Sequence, residues 1–473
     1  MKETKILLVS PKFSELDEFG ETKSLKEVIN IIPPLGLAYI AAVLEKANYN
    51  VEIIDCTVDV THNGLANILR KKQPTIIGIT CTTPTFESAY GTAGKIKEAF
   101  PNIPIILGGP HITSLPNETI NKYKCFDVGV VSEGEITILE LVKHIENYGL
   151  KNLNEIKGIV FKEGENVIKT ERREFIRNLD EIPFPARHLL PSLSKYHPTP
   201  ASYRKLPQAH VMTTRGCPSL CTFCDRSIFG CSYRERSAEN VLEEIDELIH
   251  KYHIKEIKFF DDTFTINKKR LYKICDGMRK RKIEWCCLTK VNLVTKDMLR
   301  YMKKSGCWQV LYGLESGDER IMKLLKKRTT VEQNEIAVRA AQEVGLNVRA
   351  DFLFGIPGDS LESMKTTLNF AKKLNVDFAH FNKFTPYPST EIYNNLIKHG
   401  YKFDFSKSCS QLDHSIIMYV PDGVDKTKYR RFLDNAYKKY YLRPRYIWSQ
   451  LKNIKSLEDL KRMYKGFFAI FNL

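Results

Sequence analysis

Three cysteines set the first constraint. In RGCPSLCTFCDRS, residues 215 to 227, Cys217, Cys221 and Cys224 stand at C-x3-C-x2-C spacing directly after an apolar, strand-like segment. Three thiolates on one short loop match three irons of a cubane and leave the fourth without a protein ligand. An open iron can bind a substrate, so the spacing predicts both metal ligation and catalytic duty for the same three residues. Phe223, just before the last cysteine, adds an apolar cover against water. Structural zinc is the competing assignment, with Cys231 as a fourth ligand. The loop heads a long strand-helix series rather than a small knuckle, which favours a four-iron, four-sulfur cluster.

Further chemistry-bearing residues recur where later strands should end. FFDDTFT (259–265) presents Asp261, Asp262 and Thr263, and LYGLESGDE (311–319) presents Glu315 and Ser316. FGIPG (354–358) sets Gly355 and Gly358 in a turn where backbone can approach a ligand without a side-chain clash. Singly each is weak, because acidic strand ends and Gly-Pro turns occur in any barrel. Their order after the cysteine loop carries the weight. The other cysteines read as reduced thiols, since twelve in 473 residues without an export-type leader do not suit a disulfide framework.

The elements that must position these residues follow from patterning. Over residues 1–150, apolar runs KILLVSP, VEIID, TIIGIT, PIILGG and DVGVV alternate with amphipathic helical stretches. Strands apolar throughout, separated by helices, predict a parallel sheet covered on both faces, a Rossmann-like domain. Residues 151–205 read as a connector, with a hairpin-like GIVFKEGENVIKT and a proline-marked NLDEIPFPARHLLP. Residues 206–390 hold six more βα units, which predicts a partial (β/α)6 TIM-type barrel with its active face at the strand carboxyl ends. Residues 391–473 read as a helical, basic C-terminal region. The fold class is therefore α/β.

Together these segments resemble the radical SAM superfamily over roughly residues 205–390. The resemblance implies that the open iron holds S-adenosylmethionine, which is cleaved to a 5'-deoxyadenosyl radical. It also implies binding roles toward that cofactor for Phe223, Asp261, Asp262, Thr263, Glu315, Ser316, Gly355 and Gly358. FFDDTFT departs from the commoner glycine-glycine-glutamate version of its segment. The amino-terminal domain resembles the cobalamin-binding domain fused ahead of many such cores, notably at GGPHIT (108–113) and VSEGE (131–135). Its strand-end loops nominate Ser10, Pro11, Asp55, Thr82, Thr83, Gly108, Gly109, Pro110, His111, Glu133, Gly134 and Glu135 for cobalamin. The D-x-H-x-x-G signature of a cobalt-ligating histidine is absent; DVTHNG (59–64) has a different spacing, and His62 reads as a loop histidine. That implies a histidine-off subgroup, similar to the anaerobic magnesium-protoporphyrin cyclase and class B methylases.

The implied reaction is cobalamin-dependent methylation of an unactivated carbon of a hydrophobic or small-molecule substrate, fed by an electron donor such as ferredoxin or flavodoxin. Radical cyclisation or oxidation is the alternative within the same architecture. A transfer RNA methylthiotransferase would need a second cluster on Cys56, Cys81 and Cys125, and a non-catalytic corrinoid or iron-sulfur sensor would bind the cofactors without forming deoxyadenosine. The chain carries 72 Lys and Arg against 56 Asp and Glu, net +16, and residues 426–473 alone hold 13 basic against three acidic residues. That tail is rich in Tyr, Phe and Trp, so it reads either as a solvated helical face or as a peripheral membrane contact. Nucleic acid ranks below both. With no run of 18 apolar residues, the expected localisation is cytoplasmic.

Overall fold

The computed structural model describes residues 4–12, 30–58, 62–405, 416–452, 460, 461 and 463–466. Two sheets organise them. The first holds β1 (Lys5–Ser10), β2 (Asn50–Asp55), β3 (Ile76–Thr80), β4 (Ile105–Gly108), β5 (Val128–Val130), β6 (Ile159–Glu163) and β7 (Asn166–Lys169), in the order β2-β1-β3-β4-β5-β6-β7. The pairs from β2 to β5 are parallel, and each strand is apolar because helices cover both faces. Helices Leu35–Lys46 and Glu135–Tyr148 pack on one face with Ile6, Leu8 and Ile106. Helix Phe86–Ala99 packs on the other with Val9, Ile77 and Leu107. The strand order reverses between β1 and β3, which opens a crevice at their carboxyl ends. The hairpin expected inside the connector forms β6 and β7 and extends this sheet antiparallel to β5.

The second sheet is built from β8 (Gln208–Val211), then, after the short antiparallel pair β9 (Thr214–Arg215) and β10 (Arg234–Glu235), from β11 (Glu256–Phe259), β12 (Glu284–Thr289), β13 (Cys307–Glu315), β14 (Asn347–Phe354) and β15 (Phe378–Lys383). Its order is β15-β14-β13-β12-β11-β8, parallel throughout, an open six-stranded half-barrel. Helices start on the convex side with side-chain caps: Ser237, Asn267, Thr295, Thr330, Ser360 and Thr390 each accept a hydrogen bond from the first turn. Each cap fixes where a strand-end loop hands over to its helix. The loops that carry chemistry therefore sit at one end of the sheet.

The first helix of the basic tail turns its aromatic residues toward the barrel. Helix Lys426–Tyr441 lies along β15, and Tyr429, Phe432, Leu433, Ala436 and Tyr440 are buried in the barrel core. Its hydroxyls serve the open edge: Tyr441 accepts from Ala379 N at 2.8 Å and donates to Ala379 O at 2.9 Å, and Tyr437 accepts from Phe381 N at 3.1 Å. An edge strand with unpaired backbone groups is thereby covered. The aromatic residues of this helix face inward, while Lys426, Lys428, Arg430 and Arg431 face solvent. Trp448 and Tyr464 are exposed, and Phe467, Phe468 and Phe471 lie outside the described residues. Among the described residues, no helix is long and apolar enough to cross a membrane.

Candidate active site between the two sheets

The cysteine loop leaves β8 and is tied down at several points. Cys217 N donates to Gly230 O at 3.4 Å, Arg226 Nη1 to Ser219 O at 2.8 Å, and Thr222 N to Leu325 O at 3.0 Å. Cys221 is buried, Cys217 half-buried and Cys224 exposed. A hydrogen bond with Cys224 draws the Cys221 thiol down to about 6 against its burial, with Lys327 and Lys290 helping; the same bond and burial push Cys224 up. Among the described residues no three His, Cys, Asp or Glu side chains converge on one ion. A cubane asks for something else, one thiolate at each of three corners. Three thiols on one loop, two lysines to offset negative charge, and Phe223 packed with Leu325 and Ile392 beside them fit such a cluster.

Asp261 and Asp262 follow β11 and do different things. Asp261 is buried and accepts from Thr213 N at 2.7 Å, Thr213 Oγ1 at 2.7 Å and Thr214 N at 2.6 Å, so it fixes the exit of β8 toward Cys217. Asp262 is exposed at the strand end; its backbone oxygen accepts from Thr263 Oγ1 at 2.7 Å, while its carboxylate makes no hydrogen bond to a described residue. Loss of hydration beside the neighbouring protein, then the Asp261 charge, raise its carboxyl above the usual range. Thr263 Oγ1 lies 4.0 Å from Cys217 Sγ.

Glu315 ends β13 in the left-handed region, φ +62°, where the register with β14 shifts. A non-glycine residue there stores about 1–3 kcal/mol of strain, which functional sites characteristically retain. Lys327 Nζ donates to Glu315 and to Gly313 O. Burial opposes the Lys327 charge, but Glu315 outweighs it and the ammonium is held above its ordinary range. Ser316 is buried; its hydroxyl hydrogen-bonds Thr367 and accepts from Asp318 N. Gly355 has φ +84°, and a Cβ there would lie 2.0 Å from the Tyr429 hydroxyl, so its space is filled by the tyrosine helix. Gly358 O accepts from Arg320 Nη1 at 2.6 Å.

At the first sheet, small residues leave the strand ends open. Ser10 and Pro11 end β1, Thr82 is exposed after β3, and nothing lies within 4 Å of a Cβ placed on Gly108. Thr83 and Pro110 follow β3 and β4, with Thr83 buried, and Gly109 and Gly134 are closed in, a Cβ on them meeting Cys81 O at 2.5 Å and the Ile40 side chain at 3.0 Å. Such a mouth fits a bulky corrin approached by backbone. Several polar candidates are already engaged. Asp55 accepts from Thr57 N and from Tyr196 OH, both at 3.0 Å. His111 is buried and stacked on Phe86 with centroids 3.8 Å apart, and burial lowers it to about 3. Its neutral ring is turned into the domain. His62 opens helix His62–Lys72, with its side chain outside the described residues.

Glu133 and Glu135 bind the second sheet. Arg215 Nη1 donates to Glu133 at 2.9 Å and Nη2 to Glu135 at 2.5 Å, while Arg234 Nη1 reaches Glu133 at 2.9 Å; all four side chains are nearly fully buried. Burial opposes the Arg215 charge, yet the two carboxylates raise it. Ser114 Oγ to Asp225 at 3.2 Å and Ser132 Oγ to Ile228 O at 2.7 Å extend the joint. The carboxyl ends of both sheets therefore meet across one interface, with the cysteine loop between them. Sequence reasoning missed Arg215, Lys290 and Lys327. Lys290 directly follows β12, the same strand-end signal that found Asp261; Lys327, inside a basic run, carried none.

Comparison with known proteins agrees in outline. Residues 211–371 match the Radical SAM superfamily model and residues 24–142 the B12 binding domain model. The chain is 35% identical to the uncharacterized methyltransferase PH0819 of Pyrococcus horikoshii, over 100% of this chain and 99% of that protein. It is 29% identical to the anaerobic magnesium-protoporphyrin IX monomethyl ester cyclase of Cereibacter sphaeroides, over 88% of this chain and 68% of that one. Its fold is similar to the cobalamin-dependent S-adenosylmethionine radical enzyme OxsB, with a TM-score of 0.66 at 24% identity over 84% of this chain. It also resembles the radical S-adenosylmethionine methyltransferase TsrM of Kitasatospora setae, with a TM-score of 0.67 at 18% identity, covering 84% of this chain and 76% of that one. The chain spans 56% of the length of OxsB.

Proposed function

The chain belongs to the radical SAM superfamily, among members that carry a B12-binding domain, and from that premise we propose that Cys217, Cys221 and Cys224 hold its four-iron, four-sulfur cluster. It is a radical SAM enzyme whose cofactors are that cluster, S-adenosylmethionine and cobalamin, and its relatives make it a methyltransferase. When bound, those groups supply a carbon radical and a transferable methyl; the protein's part is to bind, orient and exclude water.

Asp262, Thr263 and Glu315 are the residues we assign to S-adenosylmethionine, because they stand at strand ends around the cysteine loop. Phe223 shields the loop from solvent. Asp261 and Ser316 position their neighbours, since their acceptors are used within the protein. On the facing sheet, Ser10, Pro11, Thr82, Thr83, Gly108, Gly109, Pro110 and Gly134 would cradle the corrin by close backbone approach. No imidazole from His111 is offered there, which suits a histidine-off mode. Glu133 and Glu135 act through Arg215, fixing one cofactor site against the other.

One observation carries the reading: the loop bearing the three cysteines is clamped, through Arg215, to the strand ends of the B12-binding domain, so the two cofactor sites face each other. The substrate is a small molecule, and a reductant is required; we assign the reductant to the ferredoxin or flavodoxin class and expect an apolar substrate skeleton. Cyclisation is the second reading, favoured by the cyclase at 29% identity. The test is anaerobic: reconstitute the cluster, add S-adenosylmethionine, cobalamin and a strong reductant, then assay 5'-deoxyadenosine and the corrinoid spectrum. Both are expected, and alanine at Cys217, Cys221 or Cys224 should abolish deoxyadenosine. Bound corrinoid without deoxyadenosine in the unaltered protein would overturn the reading.

A further inference from the structure

The concave face of the half-barrel carries polar groups that the reaction above leaves without a task. Strand alternation sends Val211, Phe259, Cys287 and Ala350 into the convex core and their neighbours into the lumen. There His210 on β8 lies beside Lys258 on β11, Lys258 beside Cys286 on β12, and Asp351 on β14 beside His380 on β15. Arg349 donates to Ser202 Oγ at 2.6 Å and to His380 Nδ1 at 3.2 Å, and approaches Asp351 at 3.3 Å. A guanidinium can only donate, so His380 accepts and its ring is neutral.

Lys258 and His210 are the anomaly. Lys258 is 6% exposed, yet its ammonium makes no hydrogen bond or ion pair with a described residue; the Phe260 ring lies 6.0 Å away. His210 is buried, and neither ring nitrogen has a partner. Both nearby carboxylates are committed. Glu256 accepts from Arg204 N, Lys205 N, Gln208 Nε2 and Trp308 Nε1, closing the bottom of the barrel, and Asp351 is taken by Arg349. Burial above all, with Arg349 adding to it, lowers the Lys258 ammonium. Buried polar groups left unsatisfied are rare and call for a reason. Phe260, on the same face and edge-on to His210 at 5.5 Å, is 45% exposed, so space opens above them. Leu288 and Leu311 line that upper level.

We propose that this floor is the recognition end of the substrate pocket and binds one anionic group, carboxylate or phosphate, of an otherwise apolar substrate, held by Lys258 and Arg349 with His210 donating. The proposal rests on the radical-enzyme reading, which puts the reacting end at the cysteine loop above. The anion would supply the acceptors that Lys258 and His210 lack, while Phe260, Leu288 and Leu311 would take the apolar skeleton.

The test uses the full chain with its cluster reconstituted, titrated calorimetrically and by thermal unfolding with inorganic phosphate and, separately, with butyrate, at constant ionic strength in chloride. At least one anion should bind and raise Tm. Lys258→Met should weaken that binding by about tenfold or more, while raising Tm in anion-free buffer because an unpaired buried charge is gone. Lys258→Arg should retain binding, and His210→Phe should weaken it. Binding of phosphate alone assigns a phosphorylated substrate, and of butyrate alone a carboxylic acid. If neither anion binds, or if both act equally on the unaltered protein and on Lys258→Met and His210→Phe, the proposal fails. Deoxyadenosine formation by the unaltered preparation reports on the cysteine loop separately, so the two readings fail independently.

Discussion

Arg215 Nη1 donates to Glu133 Oε1 at 2.9 Å across the joint between the two sheets, with Arg215 only two residues ahead of Cys217. The pair is buried and Glu133 is shared with Arg234, so breaking one side leaves charge without a partner in a low-dielectric site. The contact couples the setting of the cysteine loop to the packing of the neighbouring domain.

Arg215→Met should therefore cost about 3–5 kcal/mol of stability, the range for removing one partner of a buried ion pair. Thermal unfolding measures this, and iron content after reconstitution should fall with it. Glu135→Gln keeps one acceptor for Arg215 and should cost less. A variant with unchanged Tm would show that the clamp does not hold the domains together.

The two adjacent aspartates should separate cleanly. Asp261→Ala strands the backbone N–H groups of Thr213 and Thr214 and removes the partner of the Thr213 hydroxyl, a loss of about 3 kcal/mol or more. Asp262→Ala removes an exposed carboxylate and should stay within about 0.5 kcal/mol. Its effect should appear instead as a raised KM for S-adenosylmethionine in the deoxyadenosine assay. Equal loss of stability in both variants would contradict these roles.

Gly355 and Tyr429 form one device. Gly355→Ala places a methyl 2.0 Å from the Tyr429 hydroxyl at a backbone angle alanine avoids, and should cost several kcal/mol, roughly 3 or more. Tyr429→Phe loses only the hydrogen bond to Phe354 O and should cost about 1–2 kcal/mol. In the double variant the clash should be partly relieved, giving less than the sum of the single losses by denaturant unfolding.

Acid should unfold the apoprotein early. Burial lowers His111 and His210 to about 3 each, against an ordinary value of 6.5. A histidine depressed in the folded state stabilises fully above its unfolded pKa, and that contribution is lost as pH falls from about 6.5 toward 3. By pH 5 each should have forfeited roughly 2 kcal/mol. His111→Phe, which keeps the stack on Phe86, should flatten Tm against pH over that window.

Much of this was legible along the chain. The five apolar runs named over residues 1–150 all form strands, because a strand covered on both faces must be apolar throughout and its neighbours must be helices. The cysteine spacing is local, so its chemistry needs no tertiary information. Asp261, Asp262, Thr263 and Glu315 could be nominated because strand-end loops are where a sheet of this kind presents its chemistry, and the structure puts all four at or just after the ends of β11 and β13.

The tertiary structure decided the rest, for a consistent physical reason. Glu133 and Arg215 are 82 positions apart, and nothing near either announces a buried ion pair; the joint exists only once two sheets meet end to end. The tyrosines of helix Lys426–Tyr441 looked like a membrane face because composition records polarity and not what lies opposite, which here is the open edge of β15. Gly355 had the right signature for a close approach, but packing chose the Tyr429 hydroxyl to make it. Lys258 and His210 drew no notice as single letters within strands. That both His210 ring nitrogens lack a partner became visible only after the sheet curled and committed every nearby carboxylate elsewhere.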